Sequence, residues 1–156
     1  VEHSSQIGEN KAAIISVGNN TNRKKISEKY KFQYQIAVHK TAAISVHSKI
    51  GEGTVVMANV AVNPSVEIGK HCIINTGAVL EHDCKISDFA HISPNAALAG
   101  NVEVGEGTHV GIGASVIQGI KIGKWATIGA GAVVIKDVPD FAVVVGSPAR
   151  IMKYNN

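Results

Sequence analysis

The sequence predicts a mainly β fold, a solenoid of short strands preceded by a partial α/β piece, and three observations predict it. Aliphatic residues recur every six positions without a slip, the apolar residues are overwhelmingly β-branched, and many of the 16 glycines fall beside the repeat. Ile44, Ile50, Val56, Val62, Ile68 and Ile74 open a series that runs through Leu80, Ile92, Val110 and Ile128 to Val134, each member Ile, Val or Leu. Sustained self-similarity of this kind is the signature of a solenoid. Leu80 and Leu98 are the sole leucines. Such a bias toward β-branched side chains disfavours helix bundles and suits strands.

Taken in order, the first 40 residues differ from the rest. Residues 12–17 form an apolar strand, Gly18-Asn19-Asn20 a turn, residues 21–30 a helix, and residues 32–38 a second strand. Residues 1–40 are therefore expected to be a partial α/β domain, too small to hold much of a core. Residues 41–156 are the solenoid domain with a capping strand. Two residues before each aliphatic lies Ala, Ser, Thr, Cys or Val, among them Ala42, Thr54, Cys72, Ala78, Cys84 and Ala114, with Ile120 the one exception. Positions two apart share one face of a strand, so both point inward, and Gly51, Gly69, Gly105 and Gly123 ease the chain around corners. If three six-residue sides close each coil, the result is a triangular prism of about five coils at roughly 4.8 Å each. After Val134 the lattice breaks at Asp140, and Val143-Val144-Val145 leads to Gly146-Ser147-Pro148-Ala149-Arg150. A strand there would cover an edge that a solenoid otherwise leaves open.

Composition excludes several function classes. No apolar run approaches the 18 or so residues of a membrane span, and no signal segment opens the chain. The net charge of +3 is thinly spread, with Arg23-Lys24-Lys25 the one notable cluster, so nucleic acid is not an expected partner. Cys72 and Cys84 cannot make a disulfide framework, and a reducing cytoplasm is the default setting. Both fall on the inward lattice, which argues against a covalent thiol mechanism. The run of glycines from Gly105 to Gly131 is not a phosphate loop, because each fits a corner and no helix follows.

The base candidates are seven histidines: His3, His39, His47, His71, His82, His91 and His109. His91 and His109 each precede an aliphatic and lie 18 apart, so they should stack on one outer side, with Asn75 on that side one coil below. His82 sits at a different corner between Glu81 and Asp83; a neighbouring carboxylate fixes the tautomer of a general base and stabilises its imidazolium. These groups can converge only if a neighbouring prism packs alongside, as in a homotrimer about a parallel axis.

The hexad pattern over residues 44–153, with its Gly-Ser-Pro-Ala-Arg tail, resembles the hexapeptide-repeat acyltransferases. That resemblance, rather than the periodicity, implies the 18-residue coil and the left-handed winding of a parallel β-helix. Asn75-Thr76-Gly77-Ala78-Val79-Leu80-Glu81-His82-Asp83-Cys84, followed by His91, is similar to the sugar acetyltransferase branch. That branch contains the UDP-4-amino-sugar (bacillosamine-type) N-acetyltransferases and the sialic acid O-acetyltransferases. Val17-Gly18-Asn19-Asn20 through Arg23-Lys24-Lys25-Ile26, then His39-Lys40, resembles the join between that group's nucleotide-sugar-binding N-terminal domain and its β-helix. The resemblance implies His82 as catalytic base oriented by Asp83, and Asn75 and His91 lining the site near the thioester. Together with His91, Gly100, Ile112 and Ala130 are implied to contact acetyl-CoA; Ala130 stands where a relative can carry Gly. No metal is implied. The acceptor is expected to be a nucleotide-linked 4-amino sugar, with sialic acid O-acetylation as the alternative. The family's opening strand and Gly-rich turn have no counterpart before Lys11, and Ser4-Ser5-Gln6-Ile7-Gly8 is a poor substitute; the N-terminal domain is thus expected to be incomplete. Two rivals are a γ-type carbonic anhydrase, disfavoured because no His-x4-His pair is present, and a non-catalytic β-helix scaffold.

Overall fold

A computed structural model describes residues 12–155; His3 and the Ser4–Gly8 stretch lie outside them. From Ala37 onward the chain winds as a three-sided parallel solenoid in which each rung pairs with the one 18 residues later. Ile73 thus lies beside His91, His91 beside His109, and His109 beside Thr127. The rungs are two-residue strands whose first residue faces out and second faces in. Val56, Ile74, Ile92, Val110 and Ile128 form one inward row, each at most 1% exposed. The small lattice is buried beside them, including Cys72, Ala78, Cys84, Ala90, Ala96 and Ala114. Identical rungs stacked at strand spacing satisfy one another's backbone groups, and the aliphatic rows fill the interior.

The three sides differ in chemistry. One, here the histidine face, runs from Ala37–Val38 to Ala142–Val145 and presents His91 and His109. The next, the smooth face, runs from Ala43–Ile44 to Val133–Val134 and presents Ala61, Val79, Ala97 and Ser115. The third, the charged face, runs from Lys49–Ile50 to Lys121–Ile122 and presents Lys49, Glu67, Lys85, Glu103 and Lys121 in alternation. At its corners every sixth residue takes a left-handed conformation, among them His71, Asp83, Phe89, Asn95 and Asn101. Glycine is the ordinary occupant of such positions, with Asn and Asp next.

The expected count of about five coils is too low. The histidine face is an eight-stranded sheet in which all but the final antiparallel strand are parallel, so the prism makes about seven turns. Val38 already occupies the aliphatic position one hexad before Ile44, within the segment read as part of an N-terminal strand. The last turn is two residues short: Val138 pairs with Ile122 and Val143 with Thr127, each 16 positions on. Asp137 and Asp140 accept hydrogen bonds from the Lys121 and Lys124 N–H groups at 2.8 and 2.9 Å, closing that shortened turn. Arg150–Tyr154 then pairs antiparallel with Ala142–Val145 and covers its edge.

The N-terminal piece is a β1 (Ala12–Ala13), α1 (Asn20–Lys29), β2 (Gln33–Tyr34) unit, with β1 and β2 parallel; Ala37–Val38 is β3 and belongs to the prism. The segment expected to be one strand over 32–38 is thus split in two. Asn19 caps α1, its side chain accepting from the Asn22 N–H at 2.9 Å. Among the described residues, the helix of this unit lies on the prism, held by Arg23. This side chain is 1% exposed, and its guanidinium donates to the carbonyls of His71 (2.7 Å), Phe89 (2.8 Å), Val17 (3.0 Å) and Gly18 (3.1 Å) and to Asn20 Oδ1 (2.8 Å). All five donors of the fork are used. The Asn20 amide reaches the Gly107 carbonyl at 3.0 Å.

Candidate functional site

His82 and Asp83 stand at the edge between the smooth and charged faces, both exposed. His82 Nδ1 meets Asp83 Oδ2 at 2.8 Å. With the carboxylate accepting from Nδ1–H, the free lone pair is on Nε2, the arrangement a general base needs. Asp83 is in the left-handed region, φ 62°, which turns its side chain back beside the imidazole. Beneath the ring lies Gly100, on the next coil: a Cβ there would come within 2.6 Å of His82 Cε1 and 2.7 Å of Nε2. Glycine is what lets the imidazole rest flat against the edge.

On the histidine face, His91 and His109 stack with ring centroids 4.7 Å apart, as the 18-residue spacing leads one to expect. His91 Nε2 is 3.1 Å from the Asn75 amide, and His109 Nε2 is 2.8 Å from the Ser93 hydroxyl. Burial pushes the His91 pKa down to about 4, helped by His109 and by the Arg23 charge; burial and Arg23 also lower that of His109. Both rings are therefore neutral near pH 7, able to orient a ligand and poor at carrying a proton. A trough of about 530 Å³ opens over them, walled by Gly18, Asn19, Thr21 and Trp125.

Among the expected site residues, Asn75 and His91 are in contact with each other, and His82 lies against both Asp83 and Gly100. Within one chain the two groups occupy different parts of the prism. Ile112 and Ala130, both exposed, lie on the edge between the histidine and smooth faces, away from Gly100. The buried cysteines match the inward lattice: burial raises the Cys72 thiol to about 12 and raises that of Cys84 as well. Among the described residues, no three His, Cys, Asp or Glu side chains gather as metal ligands would. No helix among them is long and apolar enough to cross a membrane. Sequence reasoning did not identify Ser93 or Trp125, nor the docking role of Arg23. Ser93, 16 before His109, repeats the Asn75–His91 spacing and was the available signal; Arg23 and Trp125 gave none beyond their residue type.

Residues 47–82 match the family model of the bacterial transferase hexapeptide, six repeats. No curated protein matches the chain. Among solved structures, a point mutant of perosamine N-acetyltransferase from Caulobacter crescentus, in complex with CoA and GDP-perosamine, is 41% identical. The match covers 92% of this chain and 70% of that one, with a TM-score of 0.90. This chain belongs to the hexapeptide-repeat acetyltransferases. The acetyltransferase domain of PglB from Neisseria gonorrhoeae, in complex with acetyl coenzyme A, is 39% identical to this acetyltransferase, with a TM-score of 0.87 over 89% of this chain and 69% of that one. WeeI from Acinetobacter baumannii is 32% identical, with a TM-score of 0.85 over 95% and 74%. The enzyme thus shares both the solenoid and the N-terminal join with proteins crystallised on CoA or acetyl coenzyme A.

Proposed function

We propose that this acetyltransferase moves the acetyl group of acetyl-CoA onto the amine of a nucleotide-linked 4-amino sugar, with His82 as general base, in a trimer of side-by-side left-handed prisms. The observation that carries the mechanism is the 2.8 Å contact of His82 Nδ1 with Asp83, over the seat provided by Gly100. His82 Nε2 accepts a proton from the amine as its nitrogen attacks the thioester carbonyl; the C–S bond breaks, and the imidazolium returns a proton to the departing thiolate. Backbone N–H groups facing the thioester oxygen stabilise the tetrahedral oxyanion. His91, neutral and held by Asn75, lines the trough that receives the thioester.

Face chemistry supports the trimer. The smooth face, with Ala61, Val79, Ala97 and Ser115 outermost, offers no charge on these rungs and little that costs desolvation, whereas the charged face is a ladder with Lys49–Glu67 at 3.1 Å and Lys121–Glu103 at 3.6 Å. A smooth face laid on a neighbour's histidine face would bring His82, at the smooth face's far edge, toward the neighbour's trough. Acceptor chemistry rests on the Caulobacter relative, whose structure holds GDP-perosamine. The unpaired cysteines suit the reducing cytoplasm that this reading assumes.

His82→Asn tests it. Release of CoA with a panel of GDP-, UDP- and dTDP-4-amino sugars should fall by about 100-fold or more, while CoA binding and the trimer persist. Near-normal turnover removes His82 from the role, and a monomer in solution removes the shared site.

A further inference from the structure

The trough over His91 and His109 does not end at Trp125. A second hollow, of about 1060 Å³, adjoins it and shares Thr21, Trp125 and Asn155 with the first. Its walls come from α1 and from the C-terminal strand, and its character differs: Lys24, Lys25, Lys124 and Lys153 line it, against the carboxylates of Glu28 and Glu106. Lys24 is matched by Glu106 at 2.5 Å, and Lys124 faces Asp140 at 3.9 Å. Among the described residues Lys25 and Lys153, both exposed, form no ion pair within 4.0 Å.

Aromatic surface stands beside this charge. Trp125 packs against Gly107, where a Cβ would meet its ring at 2.5 Å, so the absence of a side chain there seats the indole at the corner. The Lys24 ammonium lies 5.6 Å from the Trp125 ring and 5.9 Å from that of Phe89. Phe141 and Tyr154 complete the wall, 41% and 53% exposed. Unpaired ammonium groups attract phosphate oxygens, and exposed rings offer planes on which a base can stack.

The geometry points to a subsite for a phosphorylated nucleotide in this hollow, held by Lys25 and Lys153 and flanked by Trp125. The inference rests on the proposed function, which supplies two such ligands: the 3′-phospho-ADP end of CoA and the nucleoside diphosphate of the acceptor. Both carry the same chemistry, and the experiment separates them.

Trp125 is the single tryptophan of the chain, so its fluorescence reports directly on ligands entering the hollow. Wild-type enzyme and the double variant Lys25→Ala/Lys153→Ala are titrated with CoA, 3′-dephospho-CoA, GDP and UDP at low and high salt. Losing two surface ammonium contacts should weaken the ligand that uses this subsite about tenfold or more at low salt, and added salt should narrow the difference. If CoA weakens while dephospho-CoA and the nucleoside diphosphates do not, the subsite takes the donor's 3′-phosphate. Should GDP or UDP weaken while CoA does not, it takes the acceptor's diphosphate. A double variant that binds all four like wild type, while wild type still transfers acetyl groups, overturns the subsite and leaves the proposed function standing. Wild-type protein that binds neither CoA nor a nucleoside diphosphate sinks both.

Discussion

Gly100→Ala is the sharpest probe of how the proposed base, His82, is held. Gly100 has no left-handed φ, so alanine fits its backbone and the solenoid should fold. The new methyl, however, would sit 2.6 Å from His82 Cε1 and 2.7 Å from Nε2. Ordinary contacts between such atoms begin near 3.5 Å, so the imidazole must retreat by about 1 Å or rotate to another rotamer. Either movement disturbs the 2.8 Å contact with Asp83 and displaces Nε2 from its place at the edge. A shift of this size can cost about 100-fold in rate, whereas an off-rotamer side chain costs only about 1 kcal/mol of stability. The assay is steady-state CoA release, paired with a thermal melt. Turnover should fall toward the level of His82→Asn with the melting temperature changed by a few degrees at most, and combining the two substitutions should add nothing further. If Gly100 instead serves only through its backbone N–H, alanine keeps that donor; turnover within threefold of wild type would refute the seat.

Three further outcomes are expected. Arg23→Met leaves the carbonyls of Val17, Gly18, His71 and Phe89 without their donor, at about 1–3 kcal/mol for each one that stays buried and unsatisfied, so limited proteolysis should cut within residues 20–31 while the solenoid resists; uncut protein would show that other contacts hold the helix. His91, whose folded pKa is depressed to about 4, takes up its proton more readily in the unfolded chain: stability is complete above about pH 6.5 and declines as pH falls toward 4, by about 3 kcal/mol at most, and His91→Gln should flatten that part of a denaturation-against-pH curve. Cys72 and Cys84, buried with raised pKa values, should resist thiol reagents in the native protein, and alkylation with loss of activity before unfolding would contradict this.

Much of the fold was legible because a solenoid repeats its instructions. The hexads placed the inward rows, and the 18-residue coil implied by the family resemblance stacked His91 on His109. Legibility failed where the repeat changed or where one side chain did the work. Val38 carried the lattice one step earlier than the reading began, and the 16-residue final turn hid Val138 and Val143 from a search in sixes. Arg23 holds α1 through backbone carbonyls that any residue could supply, so no pattern announces its partners. His82 was singled out through its flanking carboxylates, but its seat on Gly100 depends on an edge contact between successive coils.

On the proposed function, the two kinds of imidazole in this chain explain why a second copy would be needed. His91 and His109 are partly withdrawn from water and kept neutral beside Arg23, which suits binding; His82 is open to solvent with a carboxylate at Nδ1, which suits proton transfer. A single prism cannot join them, because every coil is tied to its neighbours by ladders on three sides and the edge carrying His82 cannot bend round to the histidine face. The proposed association would supply the missing geometry without deforming anything: a smooth, uncharged side can lie on another chain's histidine face at little desolvation cost, while the charged ladder stays in water. Reversing that choice by placing Lys at Ala97, at the centre of the smooth face, should separate the copies and abolish turnover while each prism stays folded, which sedimentation and circular dichroism would show together.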